Sequence, residues 1–146
     1  LRRVLDVNLF GVFYCMKYEI PKMLERGGGV IVNCSSTAGL RGYPNLMPYV
    51  ASKHAVAGMT KVAALEYATQ GIRVLSIHPA AIDTPMVARA MAENEDLASA
   101  IADMHPVGRI GQPREIADVV VFLCSKGASF MTGSQIVVDG GALCHG

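Results

Sequence analysis

The chain has 146 residues, of which 51% are hydrophobic and 17% charged, with a formal net charge of +1. That balance supplies core material for one domain or part of one, and it makes no electrostatic case for nucleic acid, which calls for a basic face or tail. No signal peptide and no apolar stretch of about 18 residues is read in it, so the sequence encodes neither secretion nor membrane insertion and reads as cytoplasmic.

Residues 2–24 carry Val4, Leu5, Asn8, Leu9, Val12, Phe13 and Met16 near the helical period, which predicts a helix with those side chains inward. Gly27 to Gly29 end it. Val30 to Cys34 form a short, nearly all-apolar run, the pattern of a parallel strand covered on both faces. Pro48 suits a first helical position and opens a long helix to about Thr69. It carries Ala51, Ala55, Ala57, Gly58, Ala63 and Ala64, small residues that let another helix come close. Ile72 to Ile77 give a second strand, and two strands separated by a helix imply a right-handed βαβ crossover. Asp83, Thr84 and Pro85 read as a helix start. Met86, Val87, Met91, Leu97, Ile101 and Met104 follow in a segment interrupted by Glu93 to Asp96. Pro113 begins a helix whose Ile116, Val119, Val120, Leu123 and Cys124 share a core face, and Gln135 to Val138 are the last strand. Ligands of such α/β sheets lie beyond the carboxyl ends of the strands, where Ser36 and Pro79 stand.

Cys15, Cys34, Cys124 and Cys144 show no C-x-x-C spacing and lie in or beside apolar runs, so they are expected to pack as small hydrophobes. His54, His78, His105 and His145 are dispersed, without the pairing of a zinc helix, and no metal is expected.

Ser36 precedes Tyr49 by thirteen residues, and Lys53 follows Tyr49 by four. Residues i and i+4 share a helix face, so the Lys53 ammonium is expected beside the Tyr49 phenol, lowering a pKa that starts near ~10. Ser36, at a strand end, is placed to hold a substrate oxygen on a rigid mount. A second Tyr-x-x-x-Lys, Tyr18 and Lys22, contains Pro21 and has Leu5 thirteen residues back where a serine is needed; it reads as an ordinary helix surface.

These residues resemble the short-chain dehydrogenase/reductase family. Ile31-Val32-Asn33-Cys34-Ser35-Ser36-Thr37-Ala38-Gly39 is similar to its catalytic-serine strand, and Tyr49-Val50-Ala51-Ser52-Lys53-His54-Ala55 to its catalytic helix. His78-Pro79-Ala80-Ala81-Ile82-Asp83-Thr84 resembles the Pro-Gly-x-x-x-Thr element closing over the nicotinamide, and Thr132 to Gly141 the final strand and tail. Asp6 to Gly11 resemble the helix supplying a fourth catalytic residue.

The resemblance implies a Rossmann-like doubly wound parallel sheet, incomplete, with residues 1–146 as the carboxy-terminal, catalytic and substrate-binding part of one NAD(P)-binding domain. It implies an NAD- or NADP-dependent oxidoreductase acting on a secondary alcohol or the matching ketone. In it Tyr49 transfers the proton, Lys53 tunes it and holds the nicotinamide ribose, Ser36 orients the substrate oxygen and Asn8 holds a water that completes a relay. Tyr49, Lys53, Pro79, Ile82 and Thr84 would contact the cofactor, with Ser36, Ala38, Ala80 and Met86 beside the substrate and the segment after Thr84 as a lid. The helices around 2–24 and 49–69 would form a homodimer or homotetramer.

Other features depart from the family. There is no Gly-rich turn between a strand and a helix for a pyrophosphate, no Asn-Asn-Ala-Gly element and no acidic ribose selector. The chain opens on Leu1, so it is expected to be a piece of a longer protein, with little turnover alone. Ala80 stands where the family has glycine, reducing backbone freedom, and Leu75 where it has asparagine. A non-catalytic scaffold that has lost the nucleotide half, and a sugar-nucleotide epimerase, are the competing readings.

Overall fold

The computed structural model describes residues 2–93, 99–101 and 103–144; the expectations for Asn94 to Leu97 and for His145 lie outside them. Helix α1 (Arg2–Leu5) runs through a π-helical stretch, Asp6–Phe10, into α2 (Gly11–Glu25). Next come β1 (Gly29–Cys34), α3 (Met47–Tyr67), β2 (Ile72–Pro79), α4 (Pro85–Glu93), α5 (Pro113–Cys124) and β3 (Gln135–Val138). The strands form a three-stranded parallel sheet in the order β1-β2-β3.

Alternation along the strands divides the core. Ile31, Ile72 and Val74 face α2 and α3, packing with Met16, Ile20, Ala63 and Ala64. Leu75 and Ile77 face the other way, toward Leu123 and Ala128, with Ile116, Val119 and Val120 of α5 against them. Each face is thus covered by helices, which a parallel sheet requires to keep its apolar surface from water. Ser76 and His78 continue the α3-facing set of β2, and both are fully buried.

Met16 lies inward as expected, 6% exposed, with Val12 packed beside it. Phe13, expected inward, is 46% exposed and stacks edge-on against Tyr14 with ring centroids 5.6 Å apart. It borders an open apolar groove of about 510 Å³ between α2 and α3, lined also by Met59, Val62 and Tyr67. The four cysteines are free, as expected, but all are exposed and do not pack as small hydrophobes. Among the described residues no helix is long and apolar enough to cross a membrane, and no cluster of His, Cys, Asp and Glu could hold a metal ion.

Candidate active site

The β1-β2 ladder ends at Cys34 opposite Ile77, and one further bond runs from the Ser35 N–H to the Ile77 carbonyl at 2.9 Å. Beyond it the chain turns through a short 3-10 segment, Thr37–Gly39, capped by Ser36, whose Oγ accepts the Ala38 N–H at 3.1 Å. The Ser36 hydroxyl donates to the Pro79 carbonyl at 3.4 Å. Ala38, expected beside the substrate, is only 2% exposed, and its visible contact is this backbone bond aiming the serine. Gly39 lets the turn lie against α3: a Cβ there would fall 2.8 Å from the Lys53 carbonyl oxygen. Ser35 fastens the same contact, its hydroxyl donating to that carbonyl at 2.9 Å.

Close docking of the turn on the start of α3 brings Tyr49 to Ser36. Burial raises the pKa of the Tyr49 phenol; the Ser36 hydroxyl pulls it back in part, and Cys34 and Tyr43 push it up again. The sign is opposite to the expectation that Lys53 lowers it. The Lys53 Nζ lies 5.6 Å from the centre of the Tyr49 ring and donates to the Cys34 carbonyl at 3.0 Å. Burial lowers the pKa of that ammonium, against the opposing effect of Cys34. The ammonium is therefore engaged by a backbone oxygen, and desolvation decides the phenol's acidity.

Asn8 sits in the π-helical stretch, a local widening common at functional sites. Its Nδ2 donates to Ser52 Oγ at 3.4 Å, and the fully buried Ser52 hydroxyl donates to the Tyr49 carbonyl at 2.7 Å. Asn8 is thereby tied to the first turn of α3 through Ser52, a residue the sequence reading passed over.

Past Pro79, at the end of β2, the chain is pinned by an isolated parallel bridge between Ile82 and Gly111. Gly111 N–H donates to the Ala81 carbonyl at 3.0 Å and Asp83 N–H to the Gly111 carbonyl at 2.8 Å. That pattern turns the N–H and C=O of Ile82 away from Gly111. Thr84 begins α4, its Oγ1 accepting the Val87 N–H at 3.4 Å. Ala80 is half-buried in the loop, and Met86, 73% exposed on α4, has its side chain in the open.

His78 was missed by the sequence reading. Its Nδ1–H donates to the Ser36 carbonyl at 2.8 Å, and the Ser76 hydroxyl donates to its Nε2 at 2.9 Å. Burial lowers its pKa; the Ser36 carbonyl opposes this, while Lys53, Lys61 and His54 add to the lowering. A neutral ring, one nitrogen donating and the other accepting, suits both partners. The available signal was Ser76-x-His78, two polar residues at period two on a strand face otherwise apolar.

A parallel sheet with a serine, a tyrosine and a lysine gathered where its strands end, beside a loop pinned open to one side, is an incomplete Rossmann-like α/β fold. Residues 1–142 match the family described as enoyl-(acyl carrier protein) reductase, and the chain belongs to the short-chain dehydrogenases/reductases. It is 57% identical over 139 residues to a cyclohexanol dehydrogenase of Acinetobacter sp. (strain SE19), covering 95% of this chain and 53% of that protein. It is 48% identical over 141 residues to a 2,5-dichloro-2,5-cyclohexadiene-1,4-diol dehydrogenase of Sphingobium indicum, covering 96% of this chain and 56% of the relative. Among solved structures, ElxO with NADP bound superposes with a TM-score of 0.87 at 36% identity, over 94% of this chain and 56% of that one. The chain spans about half the length of these relatives.

Proposed function

We propose that this chain is the catalytic and substrate-binding part of one nucleotide-binding domain, and that the complete protein interconverts a secondary alcohol and its ketone with NAD or NADP. The observation carrying this reading is the meeting of Ser36, Tyr49 and Lys53 at the carboxyl ends of β1 and β2. A bound nicotinamide supplies or accepts the hydride. The residues fit the nicotinamide end of such a cofactor: Ile82 turns its backbone polar groups away from Gly111, Thr84 stands at a helix start, and Pro79 and Lys53 flank the strand ends. Among the described residues no Gly-rich turn joins a strand to a helix, so they offer the pyrophosphate no cradle.

In ketone reduction the Ser36 hydroxyl leaves its 3.4 Å bond to Pro79 and donates to the substrate oxygen. Tyr49, kept protonated by burial, gives that oxygen its proton. In alcohol oxidation the same phenol, ionised, takes the proton, and the positive charge of Lys53 favours that state. Asn8 holds the start of α3 through Ser52; in the relay reading a water beside it returns the proton to solvent. Ala80 and Met86 border the substrate, with α4 beside it. The relatives named for cyclohexanol and for a cyclohexadienediol support a cyclic secondary alcohol as the substrate class.

The test is cofactor reduction by the complete protein with cyclohexanol, straight-chain secondary alcohols and sugars. The ring alcohol is expected to give the highest kcat/KM, and no turnover of any alcohol or ketone would sink the reading.

The groove between α2 and α3 supports a second copy of the protein as its cover. Phe13 and Val62, which line it, are 46% and 54% exposed, apolar side chains that a partner surface would cover. A Val62→Glu change in the complete protein is expected to lower the sedimenting mass to that of a monomer; an unchanged mass would place the interface elsewhere. Four free thiols suit the reducing cytoplasm, where the reading places the protein.

A further inference from the structure

We propose that His78 is the positioning residue for the catalytic serine, its side chain continuing the β1-β2 ladder past the point where backbone pairing ends. The inference rests on the role given to Ser36 above. Backbone pairing of the two strands stops with the Ser35 N–H on the Ile77 carbonyl. One residue on, no backbone group of β2 meets the Ser36 carbonyl. The imidazole of His78 meets it instead, at 2.8 Å, from a ring that is fully buried and clamped from behind by Ser76 at 2.9 Å.

The other contacts of Ser36 cannot do this work during turnover. Its hydroxyl must abandon the Pro79 carbonyl to engage a substrate oxygen, the Ala38 N–H holds only the same Oγ, and the Gly39 N–H, which also meets the Ser36 carbonyl at 2.8 Å, ties it only within its own turn and not to β2. The extended backbone of Ser36, φ −170° and ψ 166°, is then fixed to β2 by the His78 bond. Loss of a positioning contact that lets a reacting group drift by about 1 Å costs roughly 100-fold in rate. The clamp also matches the composition of the strand. A histidine and a serine on a buried face each need a partner, and here each satisfies the other while the outer ring nitrogen reaches the site.

The experiment is a double-mutant cycle on kcat in the complete protein. His78→Leu is expected to lower kcat by roughly 10- to 100-fold with the KM for the dinucleotide nearly unchanged. His78→Asn, whose Nδ2–H lies where the ring Nδ1–H lay, should recover most of that loss. In a Ser36→Ala background, His78→Leu should have almost no further effect, because the group it aims is gone. An equal loss in both backgrounds, or Asn no better than Leu, would overturn the proposal. If His78→Leu does not fold, Ser76→Ala takes its place: freeing the back of the ring should lower kcat only where Ser36 is intact, and an equal loss without Ser36 overturns the proposal. Wild-type turnover by Ser36→Ala alone would instead remove the serine's role, a failure of the underlying reading that the cycle shows separately.

Discussion

Replacing Tyr49 with phenylalanine in the complete protein lowers kcat for both alcohol oxidation and ketone reduction by roughly 10²- to 10⁴-fold, the range that a positioned acid or base contributes. The change removes one oxygen from a half-buried ring at the start of α3 and leaves the ring against Lys53. What is lost is the proton that the phenol exchanges with the substrate oxygen and its contact with Ser36. Neither belongs to the cofactor's own binding, so the dinucleotide dissociation constant, measured by fluorescence titration, should stay within about threefold. A neutral hydrogen bond of this kind is worth about 1 kcal/mol, too little to unfold the domain. If the phenylalanine variant keeps turning over, proton transfer runs through another group, and the functional reading fails with it.

Much of this site was legible because it is written in local spacing. Tyr49 and Lys53 are one helical turn apart, and Gln135–Val138 and the core of β1 are apolar runs between turn residues, so their elements formed where the pattern put them. What stayed hidden depends on partners without side-chain signatures. The Cys34 carbonyl that takes the Lys53 ammonium is backbone, present in every residue, and nothing in the sequence marks it. The sign of the Tyr49 shift follows from how deeply the serine turn packs on α3, which rests on Gly39 and Ser35 and not on the distance between tyrosine and lysine along the helix. Phe13 follows Val12 and precedes Met16, both of which pack inward, and nothing in the sequence shows that the groove it borders is open on its side. His78 was counted as one of four scattered histidines, although period two placed it on the inner face with Ser76.

Lys53→Met displaces the pH profile of alcohol oxidation to higher pH. Oxidation needs the phenolate, and burial has already raised the pKa of Tyr49, so near neutrality the reactive form is a minor one and the wild-type rate should climb with pH. The Lys53 ammonium is 5.6 Å from the ring, and removing a positive charge at that range can only disfavour the phenolate further. The alkaline limb therefore moves upward, and kcat near pH 7 falls by roughly 10-fold or more, with part of the loss regained as the pH rises. Ketone reduction begins from the protonated phenol and should be least affected at low pH, so the two directions respond unequally to one substitution. Methionine keeps most of the apolar stem that packs beside Tyr49 but releases the Cys34 carbonyl at the end of β1. Loss of that tether would lower the rate at every pH alike. A displaced limb identifies the charge as the cause, whereas a uniform drop with no displacement would reduce Lys53 to a structural tie between α3 and the strand.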